Sequence, residues 1–187
     1  MKRINFLGLA LLMAVAVLPG CKKVFDIKPQ DQLDVTNAYQ NVYDADAAVV
    51  GIYGKFMALA DRYVILNELR GDLLNYTNNA NEALRQISTH TVAAGNPYAS
   101  PRPFYELIIN CNDALEHFQV MVREKRMTED EFNQRYSDVG SLRSFLFLQL
   151  GIHFGEIPYV TSSLTNIDAV KNASNFPRLS FPVLKIR

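Results

Sequence analysis

Reactive groups at workable spacing are scarce in this chain. The three histidines, His90, His117 and His153, stand far apart. No two lie three or four residues from each other, so no helical metal pair arises. There is no GxxxxGK[ST] loop and no Rossmann glycine set to cradle phosphate. There is also no GxSxG turn to present a nucleophile. Carboxylates are plentiful, but each has an ordinary explanation. Glu129, Asp130 and Glu131 read as the acidic first turn of a helix, Asp44 and Asp46 as a solvated helix face, and Glu116-His117 as a surface pair. Cys111 falls on an apolar stripe, where a buried thiol is inert. No catalytic residue, metal or cofactor is expected, and glycoside hydrolysis by two carboxylates is a weak alternative.

One stretch offers recognition chemistry. Arg70, Asp72, Tyr76, Asn78 and Asn79 cluster, with Asn75 and Tyr98 around them. Sugars are held by flat aromatic faces against pyranose C–H groups and by amide or guanidinium groups on hydroxyls. Tyr76 and its neighbours carry both. The plainer alternative is a polar loop closed by Asx turns, and it outweighs the sugar site on the residues alone. The chain has no Trp, so the best stacking platform is missing.

Cys21 carries the most specific signal. Lys2 and Arg3 precede an apolar run from Phe6 to Leu18, the n-region and h-region of a secretory leader. The run is shorter than the roughly 20 residues a membrane-spanning helix needs. It ends in Leu18-Pro19-Gly20-Cys21, a lipobox-like pattern. The expectation is cleavage before Cys21, with residues 1–20 as signal peptide and Cys21 as the lipid attachment point. Two acyl chains make a stable anchor where one is marginal. The composition agrees with a surface role. Basic and acidic side chains number 19 each; loss of Lys2 and Arg3 leaves a charge of about −2. No basic stripe points to nucleic acid. With Cys21 lipidated, Cys111 has no partner for a disulfide.

The elements that would position these groups are helical. Residues 21–35 read as an extended linker, and 36–187 as one helical domain. A first helix is expected from Thr36 to Ala60, capped by Asp34 or Thr36. Its face is Tyr39, Val42, Tyr43, Val49, Val50, Tyr53, Phe56, Met57 and Ala60, with Gly51 and Gly54 marking close packing. Residues 61–100 read mostly as loop, with a short helix near Glu82 to Ile87. A second long helix starts near Ser100-Pro101 and places Phe104, Ile108, Cys111, Leu115, Phe118 and Val122 on one stripe. A third begins at Thr128 with Glu131 three residues on, a capping box, and runs to Gly155. The two form an antiparallel hairpin of the kind that builds tetratricopeptide-type solenoids. The segment beyond Tyr159 reads as irregular, with a last apolar stretch from Phe181 to Ile186.

The order of these features resembles the SusD/RagB family of nutrient-binding outer-membrane lipoproteins. The mature start Cys21-Lys22-Lys23-Val24-Phe25-Asp26-Ile27-Lys28-Pro29 carries part of the likeness. So does Asp44-Ala45-Asp46-Ala47-Ala48-Val49-Val50-Gly51-Ile52-Tyr53. Glu68 to Asp72 sits where the family often has an acidic pair. Tyr105, Ile108 and Asn112 match a Y-x-x-I-x-x-x-N helix. Most specific is Leu142-Arg143 running through Phe154-Gly155-Glu156-Ile157-Pro158, similar to the family's L-R-A … F-G-x-V-P, with Ser144 in place of the usual Ala. The resemblance implies an all-α fold of tetratricopeptide-like pairs and no catalysis. It also implies partners: a glycan or peptide ligand, and a SusC-like TonB-dependent transporter in the outer membrane. Family members are longer, so the chain is expected to match their amino-terminal part. The alternative from another class is a helical-repeat adaptor lipoprotein serving an envelope complex.

The lipobox generates a direct test. Cells fed labelled palmitate should incorporate it into the wild-type chain, and Cys21→Ser should abolish incorporation.

Overall fold

The computed structural model describes residues 38–164, 166–172 and 176–180. Cys21, the leader, the linker, the caps expected at Asp34 and Thr36, and the Phe181–Ile186 stretch lie outside the described residues. The described residues belong to one compact unit that begins at Ala38.

The fold is all-α, and its centre is a hairpin. Helix α4 spans Arg102–Arg123 and helix α5 spans Glu129–Phe154. Pro101 and Pro103 flank the start of α4, where a missing N–H costs nothing. Thr128 accepts from the Glu131 N–H while the Glu131 carboxylate takes the Thr128 N–H, so the expected capping box starts α5. Gly155 ends it with φ 76°, a backbone region where side chains are strained. The two helices run antiparallel: Phe104 meets Phe154 at one end, and Asn112 meets Arg143 midway. Phe104, Ile108, Cys111, Leu115 and Phe118 are buried as their spacing predicts, though Met121 goes deeper than Val122. Val139, Leu142, Leu146 and Leu150 answer them from α5.

Helix α1, Val42–Met57, lies against this hairpin. Asp46 reaches Arg135 at 2.7 Å and Phe56 meets Phe145, so α1 runs parallel to α5. Three expectations fail here. The helix starts at Val42 rather than Thr36, because Asn41 and Asp44 form a capping box of their own. Tyr39, just before it, holds φ 63° with its ring stacked on His117. The expected single face is in fact two. Ala45, Val49, Ile52 and Phe56 turn to the core, while Tyr43, Val50 and Met57 are exposed. Gly51 and Gly54 do not mark close packing: a Cβ at either would meet nothing within 4 Å.

The first part of the region read as loop, residues 61–69, is helical, while 70–81 and 89–96 are loop as expected. Helix α2, Ala60–Tyr63, continues into a π-helical segment, Val64–Leu69, with Arg70 N–H bonded to Ile65 C=O. The wider turn explains why Tyr63-Val64-Ile65-Leu66 shows no 3.6-residue period. Helix α3, Glu82–Ser88, is capped by Asn81 close to where it was expected. A 3-10 turn, Pro97–Ala99, leads into α4.

The segment after α5, irregular from Tyr159 to Leu164 as expected, also holds short elements that were not. Strand β1, Ile157–Pro158, pairs antiparallel with β2, Arg178–Leu179, and a short helix α6, Ile167–Asn172, lies between them. Side chains fasten this return to the hairpin. Tyr105 donates its hydroxyl to Pro158 C=O at 2.8 Å. The fully buried Asn112 amide donates to Val160 C=O at 2.9 Å and Ser162 C=O at 3.1 Å, and its oxygen accepts from Arg143 at 2.8 Å. Phe147 packs on Tyr159 with centroids 4.7 Å apart. Glu116 takes both the N–H and the hydroxyl of Ser163.

Asn112→Ala should destabilise the fold by about 3 kcal/mol in urea unfolding, since it leaves two carbonyls and a guanidinium without partners. Asn112→Asp keeps the Arg143 contact but loses the donor, and should cost nearly as much.

Candidate functional site

A cavity of about 230 Å³ opens where three elements converge: the π-helical segment, the end of α3 and the last turn of α5. Leu66, Ile87, Val92 and Phe154 supply its apolar wall, and Arg70, His90 and His153 its polar rim. Leu66 and Ile87 are buried core residues, Phe154 is half-buried and Val92 is exposed.

Local backbone chemistry sets each rim group. The π turn ends at Arg70, whose guanidinium donates to His153 C=O at 3.2 Å. That carbonyl is one of the last of α5, which has no helical partner to satisfy it. The chain then reverses at Gly71, where a Cβ would lie 2.5 Å from Asn67 C=O; only glycine allows that approach. Asp72 follows with φ 60°, and His90 stands at φ 54° after α3. Asp and His are among the side chains that enter the left-handed region most readily. Their side chains face each other, His90 Nε2 to Asp72 Oδ2, at 3.9 Å, longer than a hydrogen bond.

His153 has a defined role in the rim. Its Nε2 lies 3.2 Å from Gln149 Oε1, an acceptor, so that nitrogen carries the proton. Its Nδ1 then faces the Arg70 guanidinium at 3.5 Å as a lone pair. Burial, and secondarily the Arg70 charge, hold the imidazole below its ordinary range. The fixed positive charge of the cavity therefore belongs to Arg70.

The five residues expected to bind ligand divide. Arg70 lines the cavity and Asp72 stands beside it against His90. Tyr76, Asn78 and Asn79 do not line it. They form a separate exposed loop organised by Arg85, which donates to Asn78 C=O at 2.7 Å and Ala80 C=O at 3.0 Å and lies over the Tyr76 ring at 5.7 Å. One face of Tyr76 is thus already occupied by a cation. Tyr98 is half-buried against the core. His90, His153 and the apolar wall were not anticipated. They come from three separate stretches of chain, and no linear spacing relates them.

Other candidates resolve into structural parts. Burial pushes the Cys111 thiol up to about 12, which keeps it protonated. Asp46 pairs with Arg135, and Asp44 caps α1. Glu116 is half of the clasp on Ser163, and His117 carries the Tyr39 ring. Among the described residues there is no cluster of three His, Cys, Asp or Glu that could hold a metal. No helix there is long and apolar enough to cross a membrane. No family model, curated protein or solved structure matches the chain.

The lowered His153 value has a sign that can be checked. A depressed folded value favours the neutral ring, so the contribution is complete above the unfolded value of about 6.5 and is lost as pH falls below it. The urea midpoint should decline from about pH 7 to 5, and His153→Gln should flatten that decline.

Proposed function

We propose that this chain is a surface lipoprotein receptor of the SusD/RagB type. It is anchored through Cys21 in the outer membrane, binds a nutrient, either glycan or peptide, and hands it to a SusC-like TonB-dependent transporter. The observation that carries this reading is a convergence of motifs. Two of the stretches behind the family resemblance, Tyr105–Asn112 and the one that starts at Leu142-Arg143, are joined by one set of bonds. Tyr105 and Asn112 of the first hold the carbonyls of Pro158 and Val160 at and just beyond the end of the second, and Arg143 of the second holds Asn112. The α4–α5 hairpin is taken as a tetratricopeptide-like pair, and the Arg70 cavity as the receptor's site in this part of the chain.

A second reading is a helical adaptor lipoprotein of an envelope complex. The outer face of α1 favours it. Tyr43, Ala47, Val50, Gly54 and Met57 repeat every three or four residues and are all exposed. A helix apolar on both faces usually packs on both.

Affinity purification of the lipidated chain from detergent-solubilised envelopes, followed by glycan and peptide binding assays, separates the two. The receptor predicts a TonB-dependent barrel in the eluate and a bound oligosaccharide or peptide. Protein partners without any small ligand would favour the adaptor, and the lack of both barrel and ligand would overturn the receptor.

A further inference from the structure

The cavity beside Arg70 has a chemistry more specific than nutrient binding in general. Its polar groups are almost all donors. Arg70 offers five N–H groups and no acceptor. Only one of its nitrogens, Nη1, is committed among the described residues, to His153. No carboxylate lies within ion-pair distance of Arg70 among the described residues, since Asp72 is directed to His90. The His90 Nε2 contact at 3.9 Å leaves that nitrogen free to donate to a closer acceptor. The acceptor of the rim, His153 Nδ1, already faces Arg70.

A sugar needs donors and acceptors in comparable numbers, together with a flat aromatic platform. Acceptors are few, the His153 Nδ1 that faces Arg70 and the Asp72 carboxylate beside the rim, and the one aromatic ring of the wall, Phe154, makes an edge contact with Phe104. Tyr76, Asn78 and Asn79, the side chains suited to a sugar, lie outside it. The remaining surface is aliphatic and aromatic: Leu66, Ile87, Val92 and Phe154. At about 230 Å³ the space falls below the roughly 300–1,000 Å³ of sites for drug-sized ligands. A group the size of a branched aliphatic chain is the natural occupant.

We infer that this cavity binds a carboxylate carried on a compact apolar group, with the carboxylate on Arg70 and His90 and the apolar group against Leu66, Ile87, Val92 and Phe154. A planar guanidinium matches a carboxylate with two parallel bonds, and the apolar wall, anchored in the buried Leu66 and Ile87, receives the group that carries it. This chemistry occurs at the carboxyl end of a peptide finishing in an aliphatic residue, and in a free branched-chain acid. The inference rests on the receptor reading only for the biological role of the ligand; the binding chemistry stands on the cavity.

Calorimetric titration of the full chain in detergent tests it with two acids, N-acetyl-leucine and 4-methylpentanoate, and their uncharged amides. At least one acid should bind ten-fold or more tightly than its amide. Tighter binding of N-acetyl-leucine assigns the site to peptide ends, and tighter binding of 4-methylpentanoate to free acids. Arg70→Gln should weaken the acid ten-fold or more and leave its amide little changed. Val92→Trp should block both by filling the wall without touching the Arg70 contact to α5, and far-UV circular dichroism verifies that each variant is folded. If neither acid exceeds its amide, or if Val92→Trp binds as the wild type does, the inference is wrong. The receptor reading would still stand if a TonB-dependent barrel and an oligosaccharide or peptide accompany the purified chain.

Discussion

Asn112 is a fully buried amide on α4, and each polar atom of its side chain is bonded. A buried amide without partners is costly, so its position is tolerable only while all its contacts hold. Its oxygen accepts from Arg143 on α5 and its nitrogen donates to two carbonyls of the returning segment. One side chain thereby sets the relation of three parts of the chain: both arms of the hairpin and the strand that follows. Apolar packing alone permits sliding between helices. A bonded amide at the centre does not, because any shift breaks several bonds at once. The Tyr105 hydroxyl, the Phe147–Tyr159 contact and the Glu116 clasp all follow from that register.

The cavity depends on the hairpin in turn. Arg70 is aimed by the carbonyl of His153, and that carbonyl exists as a free acceptor because α5 stops at Gly155. Arg70 follows directly on the π-helical turn, with its N–H bonded to Ile65 C=O. Gly71 then lets the backbone reverse against Asn67. A helix end, a widened turn and a glycine thus act together to leave a guanidinium beside an apolar wall. The aromatic seam of Phe56, Tyr63, Phe104, Phe145 and Phe154 ties the same region to α1 and α4.

Much of the framework was legible from residue order. Thr128 with Glu131, Gly155, and the apolar steps from Phe104 to Phe118 marked α4 and α5 with little ambiguity, because capping and 3.6-residue periodicity are local effects. The first helix was harder to read. Its apolar residues occupy two faces, so a single-stripe reading merged Tyr43 and Val50 with Val49 and Phe56. The stretch from Tyr63 to Leu69 escaped because a π turn has the wrong period, and the two-residue strands because they are too short for alternation to register. For the candidate site, Arg70 was identified and its partners were not. Tyr76, Asn78 and Asn79 lie on a separate loop, where Arg85 bonds the Asn78 carbonyl and covers the Tyr76 ring.

Sequence alone determined the all-α class, the capped boundaries of the hairpin and the identity of the buried stripe, since each follows from interactions within a few residues. The lipobox-like pattern Leu18-Pro19-Gly20-Cys21 is likewise purely linear, and the lipid anchor at Cys21 stands as a proposal. Tertiary structure decided what Asn112, Arg143 and Tyr105 are for, and it decided which polar residues surround a cavity. His90 and His153 lie far apart along the chain, and they approach Arg70 only because the last turn of α5, α3 and the π turn pack at one end of the core. Contacts of that kind are set by packing among distant elements, and neither the periodicity nor the spacing of the chain encodes them.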